Sequence, residues 1–189
     1  MLSKYFLHVL TILCFLTPPI EAEEAEHPRS WDREKMRKRA EGLILTDDYV
    51  HQWLNYPEIQ GKTLKGEMKT VDRKFGTAYV DFFLASWCIP CQKITNKFLA
   101  ITQKYAGANV KFNYIFAHDH KQDAVAFAKV YGIEDGLLAN HDILKIFHNP
   151  PLPTIYVGDR DGWFLTRYMK ASEKDLEELD ELLRDTATF

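Results

Sequence analysis

The seven residues Ala85-Ser86-Trp87-Cys88-Ile89-Pro90-Cys91 constrain this chain more than any others. They follow Ala78-Tyr79-Val80-Asp81-Phe82-Phe83-Leu84, an apolar run that reads as a buried strand interrupted by one acid. Behind them Ile94, Phe98, Ile101 and Tyr105 recur at helical spacing until Gly107 supplies a stop. The two cysteines therefore fall at a strand-to-helix junction, one helical turn apart. Two intervening residues let both sulfurs converge on the first turn of the helix, where they can close a small disulfide ring or open it. Unpaired N–H groups and the macrodipole at such a terminus favour thiolate over thiol, so the chemistry indicated is thiol-disulfide exchange. The competing reading is half of a structural zinc site, which needs two more Cys or His ligands at suitable spacing. The sequence holds no second CxxC.

The N-terminus decides how many thiols the chain keeps. Lys4 precedes an apolar run from Tyr5 to Leu16, then come Pro18 and Pro19, and Ile20-Glu21-Ala22 places a small residue before Glu23-Glu24. That is the pattern of a secretory signal over residues 1–22, with an uncleaved anchor as the alternative. The run is shorter than the about 20 apolar residues of a bilayer-spanning helix. Cys14 lies inside it and would leave with it, so the mature chain would hold Cys88 and Cys91 alone. No cysteine is then spare for a structural disulfide in a compartment where such bonds persist. The expected location is periplasmic or otherwise extracytoplasmic, and membrane-anchored if the signal stays.

Residues 23–48 are polar and charged, with a helix expected from Trp31 to Ile44 that carries Arg33, Lys35, Arg37, Lys38 and Arg39. We read this segment as a linker or helical extension, and residues 49–189 as the domain. A length of 189 residues with 46% hydrophobic composition suits one such domain plus extensions. The formal net charge of −3 offers nothing to a nucleic acid, which excludes that class of partner.

Thr46-Asp47-Asp48 can cap a short helix through Leu54, and Gly61 to Lys74 is turn-rich and alternating enough for a hairpin or an irregular strand. After Gly107, alternation of Val110, Phe112, Tyr114 and Phe116 predicts a strand. A helix then places Ala124, Phe127, Ala128 and Tyr131 on one face before Gly132. Strand, helix, strand, helix argues for parallel pairing. A shorter helix around Ile143, Leu144 and Phe147 leads to Asn149-Pro150-Pro151-Leu152-Pro153. Strands 154–157 and 163–168 flank Asp159-Arg160-Asp161-Gly162, an Asp-Gly turn that makes them a hairpin. In the last helix, Ser172 is spaced from Asp175 as in a capping box, and Leu176, Leu179 and Leu183 face the sheet.

From about Gly76 to Asp185 this pattern resembles the thioredoxin fold, and more narrowly the extracytoplasmic TlpA/ResA-type thiol-disulfide oxidoreductases. The blocks that carry the resemblance are Phe83-Leu84-Ala85-Ser86-Trp87-Cys88-Ile89-Pro90-Cys91, Ala126 to Ile133, and Leu152-Pro153-Thr154 leading to the Asp-Gly turn. The middle block resembles the extra strand and helix that distinguish this family from plain thioredoxin. The resemblance implies an α/β fold with a central mixed sheet flanked by helices. It also implies that Pro153 is a cis proline beside the disulfide and that Leu152 offers backbone groups to an extended substrate. Cys88 is expected as the nucleophile, Cys91 as the resolving thiol, Ile89 and Pro90 as the intervening motif residues, and Trp87 as either a docking aromatic or a packing one. Cysteine chemistry of this kind needs no cofactor beyond the Cys88/Cys91 disulfide and no metal. Protein thiols and disulfides are the expected substrates, a membrane thiol the electron donor, and the chain is expected to be a monomer.

Two positions depart from the family. Phe82 stands six residues before Cys88, where thioredoxins resemble one another in a buried acid, and Asp81 lies one place earlier. Ile94 stands three residues after Cys91, where these reductases commonly carry glutamate. A water, or Asp81 brought round by a bulge, are the remaining proton carriers for Cys91. Ile89-Pro90 contains no His to add charge beside Cys88, which disfavours the strongly oxidising extreme of the fold. The expected function is disulfide reduction or exchange. The alternatives are an oxidase or isomerase of secreted proteins, and a copper or zinc carrier using the cysteines with His118 and His120, or less readily His141 and His148. A docking module of an envelope assembly, in contact through Arg33 to Arg39, is a further reading.

Overall fold

The computed structural model describes residues 56–187, with side chains through residue 184. The segments 1–22 and 23–48, the helices expected over 31–44 and after Thr46, and the domain start at 49 lie outside the described residues. The order is β1 (Ile59–Thr63), β2 (Met68–Val71), β3 (Ala78–Leu84), α1 (Ile89–Lys104), β4 (Val110–Phe116), α2 (Lys121–Tyr131), β5 (Gly136–Leu138), α3 (His141–Ile146), β6 (Thr154–Gly158), β7 (Phe164–Met169) and α4 (Glu173–Ala187). The strands form one mixed sheet in the order β2-β1-β5-β4-β3-β6-β7. β3 lies between β4, which runs parallel to it, and β6, which runs antiparallel.

All seven residues of β3 are buried, because the strand is covered on both faces, and this explains why it reads as a near-continuous apolar run. Its side chains alternate between those faces. Val80, Phe82 and Leu84 join the cluster that also contains Cys88, Cys91, Ile94 and Phe98 of the α1 region, Ala124 and Phe127 of α2, and Leu176, Leu179 and Leu183 of α4. Tyr79 and Phe83 join the opposite cluster, with Ile143 of α3, Phe147 and Tyr156. The cysteines are thus carried on the three-helix face, and Asp81 projects to the other.

Of the hairpin or irregular strand expected between Gly61 and Lys74 the structure has the hairpin, β1-β2, which begins two residues earlier at Ile59, and the Asp-Gly turn joins β6 to β7 in an antiparallel pair. Asp159 Oδ1 accepts from the Asp161 and Trp163 amides, which closes that turn. Gly132 ends α2 in the left-handed region at φ 70°, where a residue without a Cβ is favoured. Ser172 donates its amide and hydroxyl to Asp175, so the expected capping box is formed from the Asp175 side. Only three residues long, β5 is too short for a periodicity to announce it. With α2 it supplies the extra strand and helix between β4 and α3 that the family resemblance implies.

Candidate active site

Cys88 and Cys91 are joined by a disulfide. Cys88 is the N-cap of α1, and its Sγ accepts from the Cys91 amide at 3.2 Å. A sulfur that receives a backbone N–H at a helix N-terminus is held where negative charge is favoured. Cys88 is 4% exposed and Cys91 fully buried, so the N-terminal sulfur is the one nearer solvent. Pro90 sits in the first turn of α1, where its missing N–H costs nothing.

The loop before the cysteines is fixed from the segment that follows β4. Asp119 accepts from both the amide and the hydroxyl of Ser86, at 2.6 and 2.8 Å, while Gln92 Nε2 donates to the Ser86 carbonyl. Trp87 is 61% exposed, yet its indole N–H donates to the His118 carbonyl at 3.0 Å. The side chain therefore stands in solvent in a set orientation rather than packing on the strand.

Across the disulfide lies the Leu152-Pro153 peptide, which is cis, as the resemblance implies. Pro153 is buried and its carbonyl accepts from Ala171 at 2.8 Å. Together with Trp87, Cys88, Ile89, Pro90, His118, Asn149, Pro150 and Pro151, Leu152 lines an open groove of about 490 Å³. The sequence-predicted residues Trp87, Cys88, Ile89, Pro90 and Leu152 are all brought to this groove. His118 and Asn149 are groove residues that the sequence does not assign to it. It marks His118 as a candidate metal ligand instead, and the residue's place after a strand parallel to β3 is the available signal. Nothing in the sequence marks Asn149 beyond the turn it opens.

His118 Nε2 is 2.8 Å from Asn149 Oδ1 and Asp119 holds Ser86, while His120 is the N-cap residue of α2 without a side-chain capping bond. Among the described residues, no three or more His, Cys, Asp or Glu side chains are placed to hold a metal ion.

The missing acids have a structural explanation. The Phe82 ring lies 4.5 Å from that of Phe98, tilted, and 6.3 Å from that of Tyr114, edge-on, so an aromatic cluster joins β3 to α1 and β4 at the position where the resemblance expects an acid. Ile94 is 3% exposed in the same cluster. The pairing of β3 with β4 and β6 runs without a shift through Asp81, and the sheet's irregularity lies between Val157 and Gly158 instead. No bulge turns Asp81 toward the cysteines, so that route for the Cys91 proton is removed. The polar neighbour of Cys91 on α1 is buried Thr95, whose hydroxyl donates to the Cys91 carbonyl at 2.7 Å.

Asp81 is instead the centre of a buried polar cluster on the far face. It accepts from Arg73 at 2.7 Å, the Tyr56 hydroxyl at 3.0 Å and Asn113 at 2.7 Å. The Arg73 guanidinium lies between the Tyr56 and Tyr79 rings, 4.5 and 4.7 Å from their centroids. Burial by itself would lower the Arg73 pKa, but Asp81 outweighs it and holds the value above the usual one. Burial, and then the charge of Asp81, push the Tyr56 phenol well above its ordinary value. A Cβ on Gly158 would come within 2.7 Å of the Tyr56 ring, so this close approach requires glycine there.

No family model matches the chain. Over 109 residues it is 28% identical to the thioredoxin-like protein YneN of Bacillus subtilis, a match covering 56% of this chain and 64% of that one. The chain thus spans somewhat less than two thirds of that curated relative's length. A solved structure from Chlorobium tepidum, provisionally named the thiol:disulfide interchange protein DsbE, superposes with a TM-score of 0.64 at 19% identity, covering 70% of this chain and 95% of that chain. A secreted Mycobacterium tuberculosis disulfide oxidoreductase homologous to E. coli DsbE gives a TM-score of 0.58 at 18% identity, covering 73% of this chain and all of that one. The chain has the thioredoxin fold, and its resemblance to thiol-disulfide oxidoreductases is borne out at that level. Among the described residues, no helix is long and apolar enough to cross a membrane.

Proposed function

We propose that this thioredoxin-fold chain is a thiol-disulfide oxidoreductase that reduces or exchanges disulfides of exported proteins through Cys88 and Cys91. The observation that carries the reading is the Cys88–Cys91 disulfide at the N-terminus of α1, with Cys88 opening onto a groove whose other wall is the cis Leu152-Pro153 loop. In the reduced protein the Cys88 thiolate attacks one sulfur of a substrate disulfide, and the other substrate sulfur leaves as a thiolate. Cys91, freed of its proton, then attacks Cys88 Sγ and the second substrate thiolate departs. The substrate gains two electrons and the Cys88/Cys91 pair loses them, so a thiol donor must restore the pair. A membrane thiol fits that role if residues 1–22 deliver the domain beyond the cytoplasmic membrane, where it would act as a monomer.

The reducing direction rests on what surrounds the sulfurs. Ile89 and Pro90 bring no charge to Cys88, and Phe82 and Ile94 bring none to Cys91. The test is the equilibrium constant of the Cys88/Cys91 pair in glutathione or dithiothreitol buffers. We expect a potential nearer the about −270 mV of thioredoxin than the about −120 mV of strong oxidants. A value at the oxidising end overturns the direction, and a pair that exchanges with neither buffer overturns the oxidoreductase reading. Cys91→Ser should trap mixed disulfides with substrates, and Cys88→Ser should trap none.

A further inference from the structure

We propose that His118 is a positioning residue for substrate, setting both walls of the groove and so selecting polypeptide disulfides over small ones. The inference rests on the oxidoreductase reading and names the substrate class of the same groove. His118 stands in the loop after β4, outside the CxxC helix and outside the cis-proline loop, and is bonded to both sides of the groove. Its carbonyl accepts the Trp87 indole N–H at 3.0 Å, and its imidazole Nε2 meets Asn149 Oδ1 at 2.8 Å. Since Asn149 Oδ1 can only accept, Nε2 carries the hydrogen in this contact. Trp87 forms one wall beside Cys88, and Asn149 with Pro150 and Pro151 forms the other.

The backbone at these positions is held in an uncommon conformation. His118 has φ 54° and Asn149 φ 51°, both in the left-handed region that residues with a Cβ enter rarely. Such conformations persist where surrounding structure imposes them; His148 and Lys170, outside the groove lining, share them, but His118 and Asn149 are the two that meet at the groove. Neither side chain fills the core, because His118 and Asn149 are both exposed. The His118 carbonyl holds Trp87, an exposed indole beside the nucleophile, and the His118–Asn149 contact holds His118 itself. An indole held in this way offers a large apolar contact at little conformational cost on binding, as in interface hot spots.

The groove is lined by Ile89, Pro90, Pro151 and Leu152 besides Trp87, and its lining includes no carboxylate among the described residues. Its occupant is an extended polypeptide segment bearing an aromatic or aliphatic side chain close to its half-cystine. A small disulfide such as oxidised glutathione has no extended chain to lay along the groove, so on this proposal it depends on Cys88 and not on Trp87 or Asn149. His118 therefore acts on the binding of polypeptide substrates, not on the sulfur chemistry itself.

The test compares His118→Ala, Asn149→Ala and His118→Gln with the parent protein. Each is assayed for reduction of the insulin disulfides and of oxidised glutathione with dithiothreitol as the electron donor and its uncatalysed rate subtracted, and the Cys88/Cys91 potential is measured alongside. His118→Ala and Asn149→Ala should each lose about tenfold in kcat/KM for insulin, through KM, as expected when one oriented contact is lost. Turnover of oxidised glutathione should stay within about twofold of the parent and the potential should not shift, because no group at the sulfurs has changed. His118→Gln, whose amide N–H can reach Asn149, should recover most of the loss. Equal losses on both substrates, a shifted potential, or no loss on insulin would overturn the proposal. A parent protein that reduces neither substrate would instead defeat the oxidoreductase reading on which it rests.

Discussion

The two faces of β3 carry opposite solutions to the same strand. On the α1 face, Phe82 and its aromatic neighbours surround the cysteines with apolar side chains, and the disulfide sits in that setting. On the far face, Asp81 gathers Arg73, Tyr56 and Asn113 into a buried cluster in which both oxygens of the acid accept hydrogen bonds. The two residues are neighbours in sequence, and the alternation of the strand sets them on opposite sides of the sheet. An acid can therefore be present at nearly the expected place yet project to the far face, while the buried cluster that holds the disulfide contains no acid among the described residues.

The largest effect should come from Asp81→Ala. It leaves the Arg73 charge, with a side chain 5% exposed, without its partner, and removing one member of a buried pair costs about 3 to 5 kcal/mol. Urea unfolding would measure this loss, and the Cys88/Cys91 potential should not move. A shift in potential would show that Asp81 reaches the sulfurs after all, and would break the separation of the faces.

Ile94→Glu tests the other side. Placing a carboxyl in that apolar cluster should cost about 2 to 4 kcal/mol, since good packing is lost and a polar group is buried without a partner. It should also change the pH dependence of mixed-disulfide resolution. In the parent protein no carboxylate lies in the buried cluster around Cys91 among the described residues, so resolution, which needs the thiolate, should slow as pH falls. The carboxylate introduced by Ile94→Glu can accept the Cys91 proton, so in the variant resolution should persist to lower pH. An unchanged profile would show that position 94 does not govern Cys91.

Tyr56→Phe should cost about 1 to 3 kcal/mol, because Asp81 loses a buried donor. It should also remove an alkaline loss of stability. The folded protein binds the Tyr56 proton more tightly than the unfolded chain, so this contribution is fully present below about pH 10 and is lost as pH rises through the folded value. Unfolding curves between neutral and strongly alkaline pH would follow it.

The smallest effect belongs to His148. Burial, and then the charge of Arg167, hold its pKa below the usual 6.5. The unfolded chain therefore binds the proton more readily, and stability falls as pH drops below that range. His148→Gln should flatten this acid limb and leave the potential unchanged, which acid unfolding curves of the two proteins would check.

Much of the fold was legible because its elements repeat a pattern over enough residues. The α1 stripe of Ile94, Phe98 and Ile101, the Leu176, Leu179 and Leu183 face of α4, and the Asp-Gly hairpin were all readable for that reason. β5 was not, because three residues carry no period. At the site, the two cysteines were legible from their spacing, and the cis proline through resemblance. The bonds of His118 to Trp87 and Asn149, and of Asp119 to Ser86, span about thirty residues each and leave no local trace.

What the sequence determined by itself was the strand-turn-helix unit that brings two thiols to a helix N-terminus, because local periodicity and CxxC spacing fix that geometry without distant partners. Tertiary structure alone decided which face Asp81 would take and what would surround Cys91. The strand's alternation offers two faces, and only the unbroken pairing of β3 with β4 and β6 settles which residues meet the disulfide.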